Sequence, residues 1–413
     1  MKTIRDRFAR WSVVGVLMTL AATAFYVPTA SAHGEKSQAA FMRMRTIHWY
    51  DLNWSADRLN VNESMEVTGK FRVFKGWPQS VALPEVSFLN IGIPGPVLTR
   101  QESYINDVLT PRSVELKLGG TYDFKVVLKA RRPGDWHVHT MLNVYSGGPI
   151  IGPGKWVTIE GSLSDYTSPI TTLTGQTVDI ESFYTGTIVG WHLFWYIVGI
   201  AWMVYWCRKP VFIPRLLKCD AGGADELITD TDKKVAIGFL AATLVVALFG
   251  YNSANGNYPI TIPLQAGTIR GIDPLPEEDV GVTVKLEKAT YRVPGRAMQM
   301  VLTVTNNHDH PIEIGEFYTA SVRFLNSNVF QDETNYPPDL LAEDGLTLDD
   351  NEAIGPGQTK TVTVTASDAA WEVQRLSDII YDPDSQMAGL LFFFGGGERH
   401  VVEIAGPLIP TFI

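Results

Sequence analysis

Cysteine is nearly absent. The 413 residues contain two, Cys207 and Cys219, which excludes a disulfide-stapled architecture. Exported segments without disulfides must be large enough to build their own cores. Positive charge is also scarce: the formal net charge is −10 and no long Lys/Arg run occurs, so the basic footprint of a nucleic-acid binder is missing. Charged residues make up only 19% and hydrophobic residues 45%, too apolar for an ordinary soluble enzyme and too charged for a polytopic transporter. That balance fits two or three domains carried on a small membrane anchor. Catalytic signatures are lacking as well. There is no G-x-S-x-G, no H-E-x-x-H and no P-loop. Gly395-Gly396-Gly397 falls at a hairpin-like turn and not before a helix, which argues against a nucleotide site.

What is present begins with a secretory signal over residues 1–32. Lys2, Arg5, Arg7 and Arg10 precede an apolar run from Trp11 to Phe25, and Thr29-Ala30-Ser31-Ala32 is an A-x-A cleavage pattern. Cleavage after Ala32 makes His33 the mature N-terminus. Two further apolar stretches, Thr187 to Cys207 and Val235 to Tyr251, are near the length of a bilayer-spanning helix. Arg208, Lys209, Arg215, Lys218, Lys233 and Lys234 in the loop between them place that loop in the cytoplasm by the positive-inside rule. Both cysteines then lie on the reducing side and both large flanking segments lie outside. His192 falls inside the first stretch, where an ionisable group usually faces other protein.

The flanking segments read as β-structure. Tyr122, Phe124, Val126, Leu128 and Ala130 alternate with polar positions, the period of a half-buried strand. Gly76-Trp77-Pro78, Gly119-Gly120, Pro133-Gly134 and Gly147-Gly148-Pro149 punctuate the first segment, as in a sandwich. In the second, Val282–Leu286, Met298–Thr305, Ser321–Leu325, Thr359–Thr365 and Gly389–Phe394 are strand candidates. The expected division is 1–32 signal, 33–185 first β domain, 186–254 two membrane helices with their loop, and 255–413 second β domain. A weak internal repeat aligns Trp136-His137-Val138-His139 with Trp371-Glu372-Val373-Gln374; a chance match accounts for it equally well.

Histidine carries the candidate chemistry. Residues i and i+2 of a strand point to one face, so His137 and His139 project side by side, with Met141 next along and Trp136 and Val138 facing the core. An N-terminal His33 adds an imidazole and a free α-amine. Their reference pKa values, about 6.5 and about 7.7–8, let both lose a proton to a metal near neutral pH. Three imidazoles and an amine suit copper, which leads the divalent affinity order; zinc, which prefers a closed tetrahedron, is the alternative. Without a nearby cysteine the site is not of the blue-copper type. His48 alone reads as a core or surface histidine. His308-Asp309-His310 reads as a solvated turn, and His400 as a solvent-side position.

His33-Gly34-Glu35-Lys36-Ser37-Gln38, Arg43 to Asp51, Gly134-Asp135-Trp136-His137-Val138-His139-Thr140, Pro259 to Gly267 and Trp371-Glu372-Val373 together resemble the copper-binding (B) subunit of the particulate methane monooxygenase family. The bacterial ammonia monooxygenase counterpart is similar. The resemblance runs along the whole chain. It implies a mainly β chain of two cupredoxin-like β-sandwich domains joined by a two-helix transmembrane hairpin, both domains periplasmic, in a bacterial inner or intracytoplasmic membrane. It implies copper held by His33, His137 and His139, two other membrane subunits, and a trimer of such heterotrimers. It implies hydroxylation of methane to methanol with O2 and a quinol reductant. Some relatives carry a further copper at the His48 position, using a histidine where this chain has Arg72 and a glutamine where it has Glu403, so His48 and Glu403 are the residues available for it here. An ammonia monooxygenase component and a membrane-tethered periplasmic copper-binding protein are the competing readings. The second needs neither two large β domains nor partner subunits.

Overall fold

The computed structural model describes residues 38–258, 267–277, 281–293, 295–329 and 336–412. The signal segment and His33 lie outside the described residues. The chain divides into two compact units, one made of residues 1–163 with 267–413 and the other of 164–266.

The first unit begins with helix α1 (Ala40–Arg45), then β1 (Ile47–Trp54), β2 (Arg58–Asn60), β3 (Ser64–Val73), β4 (Ser87–Gly92), β5 (Leu98–Ile105), β6 (Val108–Leu109), β7 (Thr121–Ala130), β8 (Gly134–Val144) and β9 (Gly148–Glu160). These strands form a five-stranded sheet, β1-β3-β7-β5-β6, and a four-stranded sheet, β2-β9-β8-β4. Their inner faces share one core, in which Val67, Phe71, Val126 and Leu128 meet Leu89, Val138, Leu142 and Val157. The alternation along β7 is complete: Tyr122, Phe124, Val126, Leu128 and Ala130 are all buried and the residues between them are not. Each large apolar side chain so placed contributes about 1.5–3 kcal/mol.

In the other unit a short hairpin, β10 (Pro169–Thr171) with β11 (Thr177–Asp179), precedes helix α2 (Thr185–Cys207), the short helix α3 (Ile213–Asp220) and helix α4 (Asp230–Asn257). Helices α2 and α4 are long and apolar enough to cross a membrane. No residue of α2 is buried, so its Trp- and Ile-rich surface needs lipid or partner helices to cover it. The second span starts earlier than its apolar run because Thr229 and Asp232 form a capping box. Asp232 also accepts from Tyr205 and Lys209, tying the adjoining ends of the two long helices. His192 bonds the carbonyl of Ile188 in its own helix.

The remaining strands are β12 (Val282–Val293), β13 (Ala297–Asn306), β14 (Glu313–Thr319), β15 (Val322–Leu325), β16 (Leu341–Ala342), β17 (Leu346–Leu348), β18 (Thr359–Ser367), β19 (Gln386–Gly395) and β20 (Glu398–Phe412), with helix α5 (Ala370–Val373) between β18 and β19. They follow the order β16-β15-β14-β19-β20-β12-β13-β18-β17. Strand β20 serves both halves: residues 398–407 pair antiparallel with β19, and 408–412 pair parallel with β12. The sheet thereby folds into a second sandwich, as strands that switch sheets allow. Its core includes Met300, Leu302, Phe317, Phe324, Trp371 and Phe393. The chain is thus mainly β, with two sandwiches and a two-helix hairpin.

Three features depart from the sequence reading. Trp371-Glu372-Val373 is helical, so the suggested repeat of the Trp136–His139 strand does not hold. Helix α1 gives Ala40 and Met44 to the core of the second sandwich, not the first. Ile272 joins the first core and Ile269 bridges Val114, so the chain returns to the first sandwich before building the second. A third cluster, Tyr50 and Phe74 with Tyr318, Leu390 and Phe392, joins the two sandwiches.

Candidate metal centre

The His137/His139 pair sits on β8 between two partners. His137 lies opposite Trp156 and His139 opposite Gly154 on β9, while Gly92 of β4 faces His139 from the other side. Val138 points into the core and is fully buried. The two imidazoles lie edge to face with centroids 4.3 Å apart, and the Trp156 ring lies 5.0 Å from His137. A bulge between His139 and Met141 interrupts the register, so the ligand face does not run on regularly to Met141.

Backbone fixes the His139 ring. Its Nδ1 lies 3.2 Å from the carbonyl oxygen of Gly152. A carbonyl only accepts, so Nδ1 carries the proton and the lone pair is on Nε2, the state of a metal ligand held by an outer hydrogen bond. Gly154 makes room for this: a Cβ there would fall 2.4 Å from His139 Nδ1. Gly154→Ala is therefore expected to push the ring off its Gly152 bond and weaken copper binding about 10–100-fold, the usual cost of losing an outer-shell partner. Chelator competition on the purified protein measures this. Equal affinities for the two proteins would show that the ring's seat does not matter.

Gln38, the first described residue, is tied to the same strands. Gln38 accepts at 3.1 Å from the Ile151 N–H and donates to the carbonyl of Pro149, both on β9. Just beyond, α1 is held by the second sandwich. Arg43 donates to the Gln374 carbonyl, and Arg45 pairs with Asp382 at 2.9 Å and Asp384 at 2.7 Å. Sequence reasoning assigns no role to Gln38, Arg45 or Gly154, because none is itself a ligand type in a ligand motif.

His48 is wholly inside. Its ring packs 4.2 Å from Phe74 and 5.4 Å from Tyr318, and Nε2 donates to the Met44 carbonyl at 2.7 Å. Burial pushes its pKa down to about 3, so it stays neutral. Glu403 is not available beside it as a ligand. One carboxylate oxygen takes Arg72 Nε at 2.6 Å and the other takes the Lys75 N–H at 3.0 Å. Where the resemblance offers a second copper at His48 and Glu403, this chain places an Arg72–Glu403 ion pair, and a cation would have to displace it.

His308, His310 and His400 correct the sequence reading outright. They are neither a solvated turn nor a solvent-side position but one cluster at the edge of the second sandwich, with a ring nitrogen from each within 4.8 Å of the others. No local signal announces the cluster, because His400 is far from the other two along the chain.

Residues 34–412 match the family described as the B-subunit protein of monooxygenases. The particulate methane monooxygenase alpha subunit of Methylococcus capsulatus is 65% identical over 414 residues, covering 100% of both chains. The family and the relative thus carry different subunit labels for the same chain. The cupredoxin domain of AmoB from Nitrosocaldus yellowstonii is 20% identical over 31% of this chain and 96% of that domain, with a TM-score of 0.24. A superposition that weak carries no weight, and the fold rests on the sheets described above.

Proposed function

The chain belongs to the monooxygenase B-subunit family, and from that premise we propose that it is the copper-holding component of a membrane-bound complex that hydroxylates methane to methanol with O2 and a quinol reductant. His33, His137 and His139 are the proposed ligands. The observation that carries this is the Gln38 anchor. Gln38 is fixed at Pro149 and Ile151, and Ile151 pairs with Met141 on the ligand strand. His139 and His137 lie about 7 and 13 Å back along β8 at a strand's rise. The segment from Gln38 to His33 reaches about 17 Å when extended. An N-terminal imidazole and amine are therefore within reach of both rings.

The donors fit copper. Two imidazoles share a strand face, and one is locked in the Nε2-basic tautomer. Bound copper would supply the one-electron chemistry that dioxygen activation needs. The chain's own part is to hold and orient. Gly152 sets the His139 ring, Trp156 covers one side of His137, and α1 with Gln38 directs the N-terminus.

The apolar, unburied spans support association with two further membrane subunits, and the family resemblance supports a trimer of such units. Arg208, Lys209, Arg215 and Lys218 support a cytoplasmic loop, with both sandwiches in the periplasm of an inner or intracytoplasmic membrane. The proposed division remains 33–185, 186–254 and 255–413 after a 1–32 signal, with the modification that 164–185 groups with the helices and 267–275 packs back on the first sandwich.

Intact-mass and N-terminal analysis of this chain from the purified complex tests the ligand set. His33 is expected first. A mature chain starting at any other residue removes the amine donor and overturns the proposed coordination.

A further inference from the structure

At one edge of the second sandwich the turn between β13 and β14 meets the β19–β20 hairpin. Ring centroids there are 4.8 Å apart for His308 and His310, 4.2 Å for His308 and His400, and 6.2 Å for His310 and His400. His400 is 8% exposed, and the His310 side chain 24%.

The local fold is built around these rings. Asn306, fully buried at the end of β13, accepts from the His308 N–H at 2.9 Å and donates to the carbonyls of His310 and Ile354, each at 2.8 Å. One side chain thus fixes the turn that carries two of the histidines. Gly396 and Gly397, with φ of 59° and 83°, make the hairpin that brings His400 back alongside. A Cβ at Gly396 would lie 2.8 Å from His310 Nε2, and one at Gly281 would lie 2.5 Å from the His308 ring. Bare backbone backs both rings.

The protonation pattern of His310 points inward. Its Nδ1 lies 3.0 Å from Asp309 Oδ1. The carboxylate accepts, so Nδ1 bears the proton and the lone pair is on Nε2. That Nε2 is buried and has no hydrogen-bond partner among the described residues. A carboxylate holding one ring nitrogen while the other is buried near two further imidazoles is the outer-shell arrangement of a metal-bound histidine.

We propose that His308, His310 and His400 form a second metal site, a three-imidazole site for a late first-row divalent ion, with Cu2+ preferred and a fourth position open. Imidazole suits these ions, and copper leads their affinity order. At metal–nitrogen distances of about 2.0–2.1 Å, tetrahedral donors stand about 3.4 Å apart. The ring planes lie only 27–32° from one another, so closing from the present spacing takes rotation of the rings as well as about an ångström of side-chain movement each. Asp309, outside the ligand set, orients His310.

The test uses the detergent-solubilised complex carrying His137→Ala and His139→Ala, so that the first proposed site does not contribute. The protein is stripped with a chelator, reloaded with Cu2+, and its copper counted per chain. Adding His308→Ala, His310→Ala and His400→Ala is expected to lower bound copper by one ion per chain. Equal uptake with and without the three histidines overturns the proposal. If the triple variant does not fold, His310→Gln alone serves, since that side chain is partly exposed. Its Cu2+ affinity in chelator competition is expected to fall at least tenfold, and unchanged affinity overturns the site.

Discussion

Replacing His137 and His139 together by alanine is expected to abolish copper binding at the proposed N-terminal centre. The two rings are neighbours on one face of β8, with centroids 4.3 Å apart, so losing both leaves His33 with its own imidazole and amine as the only donors. Two donors on one residue do not hold copper against a competing chelator as four do. The nitrogen-dominated copper(II) EPR signal of this centre should disappear, measured with His308, His310 and His400 also replaced so that copper there does not mask the change. Full copper with unchanged nitrogen coupling would mean that the centre lies elsewhere. A second measurement on the same complex locates the reaction. If copper is lost while methane oxidation persists, the centre stabilises the assembly and a partner subunit hosts the chemistry. If both vanish together, the centre is required for turnover.

Arg45→Ala is expected to destabilise the protein by about 3–5 kcal/mol, the cost of removing one member of a buried ion pair. Arg45 and Asp382 are 5% and 4% exposed. Arg45 reaches Asp382 at 2.9 Å and also donates to the Gly76 carbonyl at 3.1 Å. Its loss leaves the Asp382 carboxylate buried with only the backbone N–H groups of Asp384 and Gln386. Arg45→Lys should not rescue fully, because an ammonium cannot span the same fork of partners. Loosening α1 also loosens the stretch that leads back to Gln38, so copper affinity at the N-terminal centre should fall in parallel with stability. Denaturant unfolding and copper titration of the same protein check both. A change of less than about 1 kcal/mol, well under the usual cost of breaking a buried pair, would remove the clamp from the account.

These two results separate the roles of the sandwiches. The first carries the two proposed strand ligands. The second, through Asp382, Asp384 and Gln374, holds the helix that follows the proposed N-terminal ligand in the chain. A β domain that provides none of the proposed His33-centre ligands thereby has a function in positioning them.

Local pattern made part of this legible in sequence. The period-two alternation from Tyr122 to Ala130 depends only on neighbours along one strand, and it predicts β7 and its buried face directly. His137 and His139 are two residues apart, so their common side follows from strand geometry before any partner strand is known. The apolar stretches give α2 and α4 because a helix satisfies its own backbone hydrogen bonds. Local pattern also misled. Trp371-Glu372-Val373 resembles the ligand strand but lies in a helical turn, its indole donating to the Ala366 carbonyl within the second core. His308 and His310 sit among turn residues, and turn composition says nothing of what the turn packs against.

The sequence by itself determined the elements: which stretches are strands, which helices are apolar enough to cross a membrane, and which two imidazoles share a strand face. These follow from periodicities of a few residues, set by backbone geometry. Only the tertiary structure decided what meets what. It joined Arg45 to Asp382, closed Glu403 onto Arg72, returned 267–275 to the first sandwich, and gathered His400 with His308 and His310. Each of these pairs residues far apart along the chain. Such pairing is fixed by sheet order and by burying the remaining apolar faces, and no short window of sequence encodes either.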